Sequence, residues 1–299
     1  MSTSPHFSGL WIPLVTPFRD GKVDHPAVTQ LVKRLCADGI AGMVVCGSTG
    51  EAAALDASEQ LALLENVLQA AAGRPVLMGV SGYHLGQTQQ WIQRLNKKSL
   101  VGLLLSAPHY IRPSQRGLAD WFTALAETSA KPIVVYDIPY RTGATITRET
   151  LQHLAEHPNI RAVKDCGGDA GKTLALIAQG RLQVLAGEDL QIFSTVAQGG
   201  SGAIAASAHL ATPRFVRLLE LLSAGRLAEA RAVWLLLLPW IEAAFAEPNP
   251  GPVKAVLAAR GAMRPELRAP MTAPGAALVA RMCTLLRRIE EAEPALSLP

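Results

Sequence analysis

Residues 132–166 read PIVVYDIPYRTGATITRETLQHLAEHPNIRAVKDC. The apolar runs at 132–138 and 160–166 are short and continuous, as strands buried on both faces of a parallel sheet should be. Between them, 147–156 has helical period. Working outward, apolar runs of strand length at 10–16, 42–47, 75–81, 102–107, 183–187 and 202–207 complete a set of eight. Helical stretches such as 26–37, 58–72 and 117–129 lie between them, with no hairpin signal. Eight βα units with short connections predict an α/β fold, the (β/α)8 or TIM barrel. A doubly wound sheet usually has fewer strands and a glycine fingerprint after the first, and none follows 10–16.

After 207 the strand signal stops, and 213–222, 227–245, 252–260 and 276–291 read as helices. The expected organisation is a catalytic barrel over 1–210 and a C-terminal helical extension over 211–299. Trp234, Leu235, Leu236, Leu237, Leu238 and Trp240 are apolar nearly all round their helix, so this region is expected to pack on the barrel or on another subunit.

With 299 residues, 49% hydrophobic and 17% charged, the chain has the composition of a globular protein with a large core. Its formal charge of +4 suits a small anionic substrate, but the basic residues are scattered, which argues against nucleic acid. No segment has the uninterrupted apolar length of a membrane helix, and 1–9 lacks the regions of a signal peptide. The expected location is therefore the cytoplasm. Cys36, Cys46, Cys166 and Cys283 form no C-x-x-C pair and read as reduced core residues. His153 and His157 have metal-ligand spacing on a presumed outer helix, without a third ligand, so no metal is expected. No cofactor is expected either.

The active site of such a barrel lies at the C-terminal ends of its strands. Lys164 occupies a strand otherwise suited to burial. Desolvation disfavours an ammonium there and leaves a neutral amine able to form an imine with a carbonyl. The alternative is a strand-mouth lysine held by Asp165 or Glu188. Tyr136, at the matching end of the neighbouring strand, could relay protons to such an imine, or could simply fill the barrel. Ser48 and Thr49 lie in a glycine-bracketed turn whose N–H groups and hydroxyls suit a carboxylate, although ordinary turn chemistry explains the pattern equally. Arg141, just past Pro139, could fork onto a second substrate's carboxylate or be a solvated loop residue.

These residues give the chain a resemblance to the superfamily of Schiff-base aldolases that contains dihydrodipicolinate synthase and N-acetylneuraminate lyase. Its markers are Val15-Thr16-Pro17-Phe18, Gly47-Ser48-Thr49-Gly50-Glu51, Tyr136-Asp137-Ile138-Pro139, Val163-Lys164 and Glu247-Pro248-Asn249-Pro250-Gly251-Pro252-Val253-Lys254. The resemblance implies Lys164 as the imine lysine and Tyr136 as proton donor and acceptor. It implies Thr49 and the backbone near Ile204 as pyruvate holders, with Ser48 and Tyr110 completing a proton relay. Tyr110 would act across a dimer interface within a homotetramer built from dimers.

Arg141-Thr142-Gly143 and Tyr110 resemble the synthase branch. That implies condensation of pyruvate with L-aspartate-4-semialdehyde to 4-hydroxy-tetrahydrodipicolinate, in diaminopimelate and lysine biosynthesis. Alternatives are a pyruvate-dependent aldolase or sugar-acid dehydratase with another second substrate, and, more remotely, a non-catalytic ligand-sensing barrel. Ser48 stands where threonine is commoner. Asp137 replaces asparagine, Tyr140 replaces a small residue, and Asp165-Cys166-Gly167-Gly168 replaces Glu-Ala-(Ser/Thr)-Gly; these three changes are expected to border the second-substrate pocket. Thr88 stands where lysine-regulated relatives commonly carry a carboxylate, which predicts weak inhibition by free lysine.

Overall fold

The computed structural model describes residues 6–292. Its strands are β1 (Gly9–Pro13), β2 (Phe18–Arg19), β3 (Lys22–Val23), β4 (Gly42–Val45), β5 (Val76–Val80), β6 (Gly102–Ser106), β7 (Ile133–Asp137), β8 (Ile160–Asp165), β9 (Gln183–Ala186) and β10 (Gly202–Ile204). Eight of them close in the order β1-β10-β9-β8-β7-β6-β5-β4, the (β/α)8 barrel that the alternation predicts. The small antiparallel pair β2–β3 departs from that reading. Asp20-Gly21 joins the two strands with positive φ at both residues (52° and 77°), the backbone that matches a tight turn to strand twist. The Asp-Gly dipeptide was its sequence signal.

By internal contacts the chain forms two compact units. One gathers Pro75–Ile204; the other gathers Gly9–Arg74 with the chain from Ala205 onward. In the first, β5 to β10 alternate with α3 (Leu85–Leu95), α4 (Gln115–Thr128), the short α5 (Pro139–Thr142), α6 (Arg148–Leu154), α7 (Ala170–Gln179) and α8 (Ile192–Ala197). The helices start where side-chain oxygens can satisfy the first free N–H groups: Ser114 caps α4, Thr147 caps α6 and Asp169 caps α7. Leu103, Ile133, Val134, Val135, Ala162, Val163 and Leu185 are wholly buried. At Gly102 a Cβ would sit 2.7 Å from the Pro132 carbonyl oxygen, so glycine is what lets β6 approach that backbone.

The second unit holds β1, the hairpin, β4, α1 (His25–Ala37), α2 (Ala57–Ala70), α9 (Thr212–Ser223), α10 (Leu227–Ala244), α11 (Gly251–Ala259) and α12 (Ala276–Glu291). The helix α2 opens on a capping box formed by Asp56 and Glu59. The stretch expected to be apolar all round divides. Leu237 and Trp240 are fully buried, with the indole N–H of Trp240 donating to the Ser207 carbonyl (3.0 Å), whereas Leu235 is 59% exposed. Cys46 and Cys166 are core residues as expected, but Cys36 and Cys283 are only half-buried. No helix among the described residues is long and apolar enough to cross a membrane.

Candidate active site

Parallel pairing of β7 with β8 sets Tyr136 opposite Lys164 and Asp137 opposite Asp165. Because side chains alternate along a strand, Tyr136 and Lys164 share one face and the two aspartates share the other. Lys164 Nζ lies 4.2 Å from the centroid of the Tyr136 ring, and both side chains are buried. Burial pushes the amine pKa below the ordinary lysine value. Cys166, Asp189 and Glu188 act in the opposite sense, while the nearby Arg141 guanidinium adds to the lowering. The salt-bridge alternative for Asp165 fails on geometry. Its carboxylate accepts from the Thr173 hydroxyl and, at 2.8 Å, from the Gly167 N–H.

The outward face of the same two strands is bolted to α7. Lys172, in its first turn, pairs with Asp137, and its ammonium also reaches the Ile146 carbonyl at 3.3 Å. Asp137 and Asp165 were expected to border the second-substrate pocket. Both instead are buried behind the strands, because each directly follows an inward-facing residue. A Cβ at Gly167 would stand 2.5 Å from Lys172 Nζ and 2.8 Å from the Asp137 carboxylate, so Gly167 is the space in which these charges meet.

Arg141 lies in α5, which Pro139 opens and Gly143 closes in the left-handed region. The Thr142 hydroxyl secures this turn, lying 3.1 Å from both the Ile138 and the Ala144 carbonyls, either of which can accept its hydrogen. The exposed guanidinium of Arg141 lies 5.4 Å from the Tyr140 ring centroid. Cys166 and Glu188 lie close enough to influence both Tyr140 and Lys164 electrostatically. Burial raises the Cys166 pKa strongly, which keeps it a thiol. Tyr110 is 90% exposed and holds φ of 72°, a left-handed backbone uncommon for a tyrosine. Ile204 ends β10 with its side chain buried.

Ser48 and Thr49 belong to the second unit, where Ser48–Gly50 forms a 3-10 turn after β4. Ser48 is exposed; Thr49 is buried, and its hydroxyl accepts from the Asn249 amide at 3.0 Å. The turn is anchored from below. The Thr16 hydroxyl donates to the Gly50 carbonyl (2.6 Å), and Glu51, with φ of 54°, pairs with the fully buried Lys254 (2.6 Å). Lys254 also donates to the Thr16 carbonyl at 2.8 Å, while the Arg268 backbone N–H donates to Glu51 at 3.0 Å.

Sequence reasoning gave no role to Lys172, Thr173, Thr16, Asn249 or Lys254. Lysine in the first turn of an otherwise apolar helix was the available signal for Lys172. Replacing Lys172 with Met should strand the Asp137 charge and destabilise the protein by about 3–5 kcal/mol. The deficit, read from urea unfolding, should shrink on acidification as Asp137 takes up a proton, and much of it should vanish in Asp137→Asn/Lys172→Met. Equal deficits in the single and double variants would show that the pair is not the bolt.

The profile of the Dihydrodipicolinate synthetase family matches residues 6–277. A 4-hydroxy-tetrahydrodipicolinate synthase of Sorangium cellulosum is 36% identical over 296 residues, covering 97% of this chain and 98% of that protein. The protein named 4-hydroxy-tetrahydrodipicolinate synthase 2 in Clostridium acetobutylicum is 36% identical over 267 residues, 88% of this chain and 93% of that one. The crystal structure of dihydrodipicolinate synthase from Aquifex aeolicus superposes with a TM-score of 0.92 at 28% identity, covering 95% of this chain and 98% of that chain. With a match spanning nearly the whole chain and relatives this similar, the protein belongs to the Dihydrodipicolinate synthetase family.

Proposed function

We propose that this protein is a Schiff-base lyase that condenses pyruvate with L-aspartate-4-semialdehyde to 4-hydroxy-tetrahydrodipicolinate, in diaminopimelate and lysine biosynthesis. The observation that carries the reading is the desolvated Lys164 amine against the Tyr136 ring, with the Arg141 guanidinium in the same field. The neutral amine adds to the ketone of pyruvate, and loss of water gives the imine. Removal of a methyl proton then yields an enamine whose carbon attacks the aldehyde, and the amino group of the semialdehyde adds to the regenerated imine carbon, closing the ring and expelling the Lys164 amine. Tyr136 moves protons at these steps, with Ser48 and the partner subunit's Tyr110 as its relay. Thr49 and the backbone near Ile204 hold the pyruvate carboxylate, and Arg141 receives the carboxylate of the semialdehyde.

The assembly we favour is a homotetramer built from dimers, in the cytoplasm. Tyr110 and Tyr83 are 90% and 60% exposed, and the neighbouring Ile111 and Leu85 are also exposed, an apolar grouping suited to a subunit interface. In this reading residues 1–210 are the catalytic barrel, while 211–299 supply a helical region whose exposed Leu235 offers further contact surface.

Borohydride added with pyruvate should fix a reduced pyruvyl group on Lys164, detectable by peptide mass. Arg141→Leu should retain this trapping yet lose roughly a hundredfold in specificity for aspartate semialdehyde. An unmodified Lys164 in folded protein would refute the imine mechanism. Turnover of a sugar acid but not of the semialdehyde would favour the dehydratase or aldolase alternative.

Free lysine should inhibit weakly. Thr88 is buried and its hydroxyl donates to the His84 carbonyl at 3.1 Å, so the position offers an incoming ammonium no charge. Initial rates at millimolar lysine should stay near the uninhibited value; a saturable loss of most activity at submillimolar lysine would overturn this expectation.

A further inference from the structure

The second unit contains a cavity of about 300 Å³ lined by residues with no part in the chemistry above. Arg34 and Asp38 come from the end of α1, His209 and Arg214 flank the start of α9, Arg260 caps α11, and Glu290 comes from α12. Three guanidinium groups therefore face two carboxylates, and one of those, Glu290, is already paired with Arg260.

Two features of this arrangement are costly. Arg34 donates from one terminal nitrogen to the His209 carbonyl (2.6 Å), but its buried Nε–H has no hydrogen-bond partner among the described residues. Burial lowers the Arg34 pKa; Asp38 opposes the shift, and Arg260 adds to it as a like charge near enough to repel. His209 cannot relieve either cost. Its ring is wholly buried, which pushes the pKa down to about 4; Nε2 accepts from the Val15 N–H at 3.1 Å and Nδ1–H donates to the Ala206 carbonyl at 2.8 Å. Arg214 donates to the Ala292 carbonyl at 2.5 Å and forms no ion pair among the described residues. An oxyanion in the cavity would lie among these guanidinium groups and offset the repulsion between Arg34 and Arg260, using the fork geometry that makes arginine the usual ligand for phosphate and carboxylate.

We propose that this cavity is a second ligand site, in which Arg34 and Arg260 bind a small metabolite bearing two or more anionic oxygens. The volume lies at the lower end of small-molecule sites, which suits a phosphate ester or a short dicarboxylate rather than a nucleotide.

Titration calorimetry on the intact protein, with inorganic phosphate and succinate as probes at ionic strength matched by chloride, tests the proposal. Saturable binding of at least one probe is expected, and the better probe identifies the phosphate or carboxylate class. Arg34→Gln and Arg260→Gln should each weaken binding about tenfold or more, the effect of losing one charge-assisted hydrogen bond. Arg116→Gln, which alters an arginine side chain that is 92% exposed on α4, should leave binding unchanged. Should Arg34→Gln fail to fold, Arg260→Gln carries the test, because its side chain is 46% exposed. Neither probe binding beyond the chloride control, or binding unaltered by the tested arginine substitutions, would overturn the proposal.

Discussion

The constraint on which the catalytic reading depends is the placement of one amine in a barrel strand. Lys164 is buried among residues that a parallel strand would carry in any case, and its amine lies over the Tyr136 ring. Desolvation therefore favours the neutral amine, and neutrality is what nucleophilic attack requires. Stability pays for this arrangement: a lysine with a lowered folded pKa binds fewer protons than its unfolded counterpart, so its contribution worsens as pH falls through the window between the two values.

Such a site needs a rigid frame, and the structure supplies one on the faces of the strands away from the chemistry. Strand alternation that turns Tyr136 and Lys164 inward turns Asp137 and Asp165 outward, where Lys172 and Thr173 of α7 receive them. The Ser48-Thr49 turn has its own equivalent, a buried Glu51–Lys254 pair that also fastens Thr16. In both cases a buried charge is tolerated because its partner and further hydrogen bonds are in place. Removing one member leaves a stranded charge next to a residue proposed for catalysis or substrate binding.

The fold was legible because its signal is repeated: eight apolar runs of strand length leave few architectures open. Lys164 and Tyr136 were legible for a related reason, since polar residues in apolar strands are costly and therefore informative. Asp137 and Asp165 were read as pocket residues because proximity in sequence was weighted over the two-residue alternation that separates a strand's faces. The partners that fasten the frame were harder to see. Asn249 lies 200 positions from Thr49 and Lys254 203 positions from Glu51, and local pattern carries no information about such contacts. The β2–β3 hairpin was missed although Asp20-Gly21 announces it, because its strands are only two residues long.

The central claim, that the barrel interior holds Lys164 as an unusually acidic ammonium, is tested most directly by titrating that group. Protein labelled with 13C at the lysine ε carbons can be followed by NMR across alkaline pH, with the Lys164 resonance assigned by its absence from Lys164→Arg. The account predicts a midpoint clearly below about 10.4, the value of an unperturbed lysine. A Lys164 that titrates at or above that value would contradict it.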